Sequence, residues 1–522
     1  GQVAHLPISN LYHAVADPLL RPKVKCTFGI PNEWANPGLP VVTGGPLLKG
    51  LHPIVPDNGY HNFLAAFRKR CNYFDASRAS PRIISCSIKL INLLAPVPLP
   101  SFDWTGDLFE KWLAKFGPEK QQRMRLAVES FSTSSVKDYS TKEIFDKIEA
   151  LLVGHKPNWA PRVIYKGSDV YNALSGPIFC ELMGRLDTVY ERMEGPYKFK
   201  VAYKKTPDVY VPHLEQSKGE FVESDFSAND MKQCRDVMML EIMLMRRLGC
   251  PEWFIRLHSK TNHFTVKNRK HSASATLDFQ LPTGATDTTF RNTFWNSCIL
   301  YSFLVAIDAK ECHALLLGDD MLAKVLGLRR YAVKTYENIA QEARMDAKVS
   351  RRRFLSDCTF LSKLFVPCRG ISHLTVPLLG KNLAKFNMRA NLNQGLSDHA
   401  YFAGKAIGYA YEFRFVPCLR DLFLARFSHE WSFVTEEKKA FKLAQAEISW
   451  NAREAGITLA NIRQKILVDH TVDDDDFHVF CYHRYGLCGF DVVALFEDVI
   501  LAPGSSEDLE GHNVTMLSAD FL

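Results

Sequence analysis

Two aspartates stand side by side at Asp319 and Asp320, in the stretch ALLLGDDMLAKV (Ala314–Val325), where one apolar run ends and another begins. Adjacent carboxylates repel each other, so the pair calls for either open solvent or a bound cation. A second acidic site of the same kind is FVESDFSAND (Phe221–Asp230), where an apolar run leads into Asp225 and Asp230 follows five positions later. Two strands lying side by side would bring Asp225 close to Asp319. Carboxylates gathered in this way bind hard divalent cations. Two such ions about 3.5–4 Å apart can clamp an in-line phosphoryl displacement. The plainer reading of Gly318-Asp319-Asp320 is a strand-to-strand turn, for which the tripeptide is well suited.

Between the two acidic sites lies LPTGATDTTFRNTFWNS (Leu281–Ser297), with Thr283, Gly284, Thr288 and Asn292 in the pattern T-G-x3-T-x3-N. The glycine permits a tight loop. In a helix that follows it, Thr288 and Asn292 share a face because they are four apart. A small polar face beside a metal site can hold a ribose. A capped helix packed on a sheet accounts for the same spacing.

The elements that must carry these residues are read from periodicity. GEFVESDFSAND reads as a strand ending in a turn, and the helix MKQCRDVMMLEIMLMRRLG after it is stopped by Gly249 and Pro251. The Met238, Met239, Met243 and Met245 stripe on that helix reads as core. Phe294–Ile307, broken by Asn296, Ser297 and Ser302, reads as a buried helix, too short to cross a membrane. Upstream, the Pro- and Gly-rich residues 1–60 read as extended chain, and Asn62–Phe74 as a basic helix. Residues 107–153 read as mainly helical. DLFEKWLAKF and TKEIFDKIEALL show apolar spacings of three and four, with Ser140-Thr141 as the N-cap of the second. Downstream, the last 130 residues read as largely helical, TEEKKAFKLAQAEISWNAREAG being the clearest case. VDDDDF (Val472–Phe477) reads as a solvated acidic loop.

Bulk composition agrees with a large globular chain. Its 522 residues are 47% hydrophobic and 23% charged, with net charge +7, which permits an anionic partner without requiring one. Thirteen cysteines without a CxxC pair read as free thiols in a reducing compartment. His478, Cys481, His483 and Cys488 match no standard zinc spacing. No secretory signal and no transmembrane segment is read in this sequence.

Taken in order, these stretches resemble the RNA-dependent RNA polymerases of positive-strand RNA viruses, of the tombus/noda-like or alpha-like groups, over Lys156–Pro367. SDFSAND resembles their motif A (D-x4-D), TGATDTTFRN motif B and LLLGDD motif C. KPNWAPRVIYKGSDVYNALSG is similar to motif F, and YENIAQEARMDAKVSRRRFLSDCTFLSKLFVP to motifs D and E. The resemblance implies an α+β closed right hand, with fingers, a palm of antiparallel sheet backed by helices, and a helical thumb. Residues 1–220 would form the N-terminal extension and fingers, 221–247 and 281–375 the palm, 248–280 a fingers insertion, and 376–522 the thumb and C-terminal region. It implies template-directed addition of NTPs to RNA in genome replication and transcription. Asp225, Asp319 and Asp320 would hold two Mg2+ or Mn2+ ions, with Asp320 at longer range. Asp230, Thr288 and Asn292, with Thr283 and Gly284, would hold the nucleotide and read its ribose 2′-hydroxyl. Arg162 and Lys166 would line the nucleotide channel, and Lys348 would be the general acid to pyrophosphate. The hairpin TFLSKLFVP, with Lys363, would grip the primer end. Lys198, Lys200, Lys204, Lys205, Arg351, Arg352 and Arg353 would meet RNA phosphates. The partners implied are template and product RNA, NTPs and other replicase proteins. The place implied is the host cytoplasm, at membrane-associated complexes reached through other segments or partners.

Two alternatives share part of the pattern. A reverse transcriptase has the same palm, but its second acidic strand ends in aromatic-x-Asp-Asp and Asn292 would be out of place. A non-enzymatic RNA-binding or coat protein has no use for carboxylates at two strand ends.

Overall fold

A computed structural model describes Cys26–Thr27 and residues 42–522, apart from 52–54, 57–58, 72–77, 148, 152–159, 228, 390–394, 441–455, 459, 506 and 522. The fold is mixed α+β. Its central sheet has five strands, β1 (Tyr197–Val201), β2 (Glu220–Ser227), β3 (Glu311–Leu317), β4 (Asp320–Leu326) and β5 (Asp346–Arg352), in the order β5-β2-β4-β3-β1. The β3 run ECHALLL is buried at its five inner positions, which a strand covered on both faces requires. One face packs on helices α1 (Pro81–Leu94), α2 (Asp169–Glu191), α3 (Arg235–Arg247), α4 (Thr288–Ala306) and α5 (Ala332–Glu342), through residues such as Ala314, Leu316 and Val222. The other face packs Leu315, Leu322 and Phe221 against Tyr210, Phe360 and Phe365.

The sheet departs from the expected all-antiparallel palm at one edge. β1 pairs with β3 in parallel, Phe199 opposite Ala314. More than a hundred residues separate the two strands, so no hairpin dictates their direction. β1 and α2 also come from the segment 1–220, so that segment supplies part of the central layer as well as the region around it.

A second five-stranded sheet runs in the order Cys26–Thr27, Ala273–Asp278, His263–Asn268, Thr141–Asp146, Val163–Gly167. Here the helix expected over TKEIFDKIEALL is overturned, because Thr141–Asp146 is a strand. Lys142, Ile144 and Asp146 are buried while Glu143 and Phe145 are exposed, and strands pair on both sides. Period-two burial with ladder bonds on two flanks outweighs the spacing of three and four. The Met stripe is core only in part, since Met238 and Met245 are buried and Met239 is 52% exposed. VDDDDF is not a loop either. Asp473 is the N-cap of the helix Asp474–Tyr485, and three aspartates in its first turn face the positive end of the helix dipole. Most of TEEKKAFKLAQAEISWNAREAG lies outside the described residues.

The C-terminal region packs a hairpin, β6 (Lys363–Cys368) with β7 (Ser372–Pro377), on α6 (Leu379–Phe386), α7 (Asp398–Glu412), α8 (Pro417–Trp431) and later helices. Residues 42–51 lie against this region. Val42–Thr43 pairs with Met388–Arg389, and Leu48 enters the C-terminal core. The next helix, Tyr60–Arg70, packs Phe63 and Phe67 on the second sheet. The described cysteines are free thiols, and no helix among the described residues is long and apolar enough to cross a membrane.

Candidate active site

The strand ends predicted to meet do meet, through a different arm of the hairpin. β2 lies beside β4 and not β3, with Ser224 opposite Met321, so Asp225 comes next to Asp320. Asp319 occupies the two-residue turn with Gly318, whose φ of +56° is the left-handed conformation a tight hairpin needs at its first central position. α4 holds this turn by its backbone. The Gly318 N–H donates to Thr293 Oγ1 at 2.8 Å, and Asn296 Nδ2 donates to the Gly318 carbonyl at 3.2 Å. Asn296 is one of the polar residues that interrupt the apolar stretch, and this contact gives it a purpose.

The four aspartates share one electrostatic environment. Burial, then the charges of Asp230, Asp320 and Asp225, push the Asp319 carboxyl up to about 7 against a hydrogen bond from Asn229. Burial and Asp225 push Asp320 up to about 6. Both side chains are nevertheless open to solvent on one side. Side chains walled by protein yet touched by water describe the floor of a cleft. Carboxylates whose ionised forms are disfavoured by one another are hard oxygen donors short of a cation, and a divalent ion supplies what they lack. The residues present therefore fit such an ion.

Asn229, which sequence reasoning missed, ties the site together. Its Nδ2 donates to Asp319 Oδ1 and, at 3.1 Å, to Asn292 Oδ1, while Gln233 Nε2 holds its own oxygen at 3.1 Å. Asn292 Nδ2 in turn donates to Asp230 Oδ1 at 3.0 Å, and the Thr283 hydroxyl donates to Asp230 Oδ2. Asp230, Thr283 and Asn292 are thus one hydrogen-bonded set beside Asp319. Burial raises the Asp230 carboxyl. Thr288 shares the helix face with Asn292, and its hydroxyl donates to the Pro282 carbonyl at 3.3 Å. The Thr283–Gly284 loop, with Gly284 at φ +94°, is also held from the second sheet, where the Tyr165 N–H donates to the Thr283 carbonyl at 3.2 Å.

Lys348 is exposed and lies directly opposite Asp225 across β5 and β2. Arg162 is paired with Glu149 through its Nε and Nη2, each donating to one carboxylate oxygen, and Lys166 is exposed opposite Glu143. Among the eight cations expected at RNA, Lys200 meets Glu191, Lys205 meets Asp187, Arg351 meets Glu220, Arg352 meets Glu223 and Lys363 meets Glu412. Lys198 donates to the Met193 carbonyl at 2.6 Å. Lys204 and Arg353 lie over the rings of Tyr203 and Phe354.

A second acidic group lies deeper. Glu241, His258 and Asp287 present ligand atoms within 4.8 Å of one another, all buried. Arg291 is paired with Glu241 and stands 3.5 Å from Asp287, so cations of the chain already neutralise this group. No sequence spacing links its members, which come from α3, the helix Glu252–Ser259 and the start of α4.

A family model described as RNA dependent RNA polymerase matches residues 58–399, more than half of the chain and all four aspartates of the cleft. No curated protein matches the chain.

Proposed function

The chain belongs to the RNA-dependent RNA polymerases of positive-strand RNA viruses, and on that premise we propose that Asp225, Asp319 and Asp320 hold its divalent ions. The protein is an RNA-directed RNA polymerase, a nucleotidyltransferase of viral RNA replication acting on template RNA and NTPs. Enzymes of this family use divalent metal, and Mg2+ or Mn2+ is the ion we assign. When bound, two such ions lower the pKa of the primer 3′-hydroxyl and neutralise the departing pyrophosphate.

The chain's own residues supply position. Asn229 aims the Asp319 carboxylate by donating to its Oδ1 and links it to Asn292, whose Oδ1 accepts from the same amide. Asp230, Thr283 and Asn292 form a polar platform for a ribose, where a 2′-hydroxyl can both donate and accept. Lys348, across the sheet from Asp225, is the proposed proton donor to pyrophosphate. Arg162 and Lys166 are proposed to line the nucleotide channel. The eight further cations are proposed to meet RNA phosphates, and those with carboxylate partners would exchange them for phosphate. The hairpin TFLSKLFVP, in which Thr359 and Phe360 pair with Leu364 and Lys363, is proposed to grip the primer end.

A closed hand is the architecture this reading takes. It is supported by Val42–Thr43 and Leu48, which lie with the C-terminal region, and by Phe63 and Phe67 of the helix Tyr60–Arg70, which pack on the second sheet. In it the second sheet belongs to the fingers, the central sheet to the palm and residues 376–522 to the thumb. Replication takes place in the host cytoplasm, with attachment to membranes through other segments or partner replicase proteins.

The observation that carries this reading is the meeting of Asp225, Asp319 and Asp320 at one cleft floor, with raised carboxyl pKa values at the last two. The test is template-directed NTP incorporation, with and without primer, in Mg2+ and in Mn2+. Asp319→Asn should keep the thermal unfolding midpoint and lose incorporation by roughly a thousandfold. An active variant overturns the assignment.

A further inference from the structure

The loop that carries Thr283 is anchored a second time, at a residue outside the nucleotide platform. Thr286 donates its N–H to the Tyr171 hydroxyl at 3.3 Å and its own hydroxyl to the same oxygen at 3.0 Å. Ser175 Oγ stands 2.7 Å from Thr286 Oγ1. Tyr171 and Ser175 are four apart on α2, so they share a face, and both are buried. The start of α2 is itself pinned, because Ser168 Oγ accepts from the Tyr171 N–H at 3.0 Å.

The surroundings of the Tyr171 ring fix where its hydroxyl stands. Lys142 Nζ lies 3.3 Å from the ring centre, and Tyr139 meets the ring edge-on with centroids 4.8 Å apart. A Cβ at Gly167 would come 2.4 Å from the ring, so a larger residue there would push it aside. Lys142 is the costly member of this set. Its amine is buried without a hydrogen-bond partner among the described residues, and burial lowers it to about 7 against the pull of Asp287. An apolar side chain of the same length would avoid that cost. What the amine adds is attraction to the ring face, strongest where water is excluded.

We infer that Tyr171, braced by Lys142, is a positioning residue for ribose selection, acting through Thr286 to set the Thr283 loop and with it the hydrogen bond from Thr283 to Asp230. The inference deepens the polymerase reading and rests on it for the substrate. Between the two anchored threonines stand only Gly284, at φ +94°, and Ala285. Releasing Thr286 leaves Thr283 held by Asp230 and by the Tyr165 N–H alone among the described residues. Tyr171 is buried and reaches the ribose only by way of the loop.

The test compares NTP with 2′-deoxy-NTP incorporation by the full chain. Tyr171→Phe keeps the ring and removes the hydroxyl. Its NTP KM should rise about tenfold, with kcat and the 2′-deoxy-NTP KM within twofold of wild type, as loss of a buried hydrogen bond implies. Lys142→Met should move the NTP KM the same way by about threefold, and the double variant should do no more than Tyr171→Phe alone. Thr286→Val breaks the hydroxyl contact from the loop side, so it tests the same link should Tyr171→Phe melt early. An unchanged ratio of NTP to 2′-deoxy-NTP efficiency in folded Tyr171→Phe or Thr286→Val overturns the inference, as does an equal loss on both substrates. Hydrogen exchange at the Thr286 amide should quicken about tenfold in Tyr171→Phe, and wild-type protection there also overturns it. The exchange needs no catalysis, so its failure is distinct from an active Asp319→Asn, which would instead overturn the assignment of the cleft.

Discussion

His258 offers a quantitative test of how the nucleotide platform is held. It lies fully buried with Nε2 3.3 Å from Glu241 and 3.2 Å from Asp287, and Arg291 completes the group. Two acids and two cations make the cluster neutral when His258 is protonated. Burial alone would lower the imidazole pKa, yet Asp287 and Glu241 outweigh it and raise it to about 9. An unfolded histidine titrates near 6.5. A folded pKa raised above the unfolded one stabilises fully below about 6.5, and the contribution is lost as pH climbs through about 9. The rise corresponds to about 3 kcal/mol, disappearing at about 1.4 kcal/mol per pH unit across that window. Asp287 is the N-cap of α4, so the loss falls where Thr288 and Asn292 begin. The assay is hydrogen exchange of the first α4 amides between pH 6.5 and 9.5, corrected for intrinsic rates. Protection should fall by more than a hundredfold in the wild type. His258→Gln should start lower and show no slope of its own. Equal slopes in the two proteins would refute the argument.

Two further substitutions follow from buried polar contacts. Asn229→Ala removes a donor from Asp319 and from Asn292 at once, so NTP KM should rise about tenfold with an unchanged circular dichroism spectrum; wild-type kinetics would show that Asn229 is a bystander. Arg426→Met strips four contacts, to Glu430, Asn387 and the carbonyls of Ile500 and Gly44, and leaves the buried Glu430 with only His399 as a partner among the described residues. The C-terminal unit should lose about 3–5 kcal/mol in calorimetry, with faster exchange over residues 42–51; an unmoved transition would count against that anchor.

Local pattern carried the reading of β2, of the Gly318 turn and of α4, because each depends on residues within one turn or one strand length. What escaped it depends on partners. The helical spacing of TKEIFD lost to strand neighbours at Val163–Gly167 and His263–Asn268, which the segment itself cannot announce. Asn229 looked like turn punctuation because its partners, Asp319 and Asn292, are 90 and 63 residues away. The buried Glu241, His258, Asp287 and Arg291 group had no signal at all, since a charge sequence gives no sign of burial.

The cations of the central sheet show how a plausible functional reading and a structural one can occupy the same residues. β1 and β5 are its edges, and they carry Lys198, Lys200, Arg351 and Arg352. Edge strands expose unpaired backbone groups, and charged side chains there keep other chains from pairing with them. Glu191, Glu220 and Glu223 then hold three of these cations in place. Edge protection alone thus accounts for positive charge at both rims. It does not account for Lys385, Lys381 and Arg70, which lie on helices, where no sheet edge needs guarding. That contrast separates cations whose place at a sheet rim is explained by the fold from cations for which no sheet edge supplies the reason.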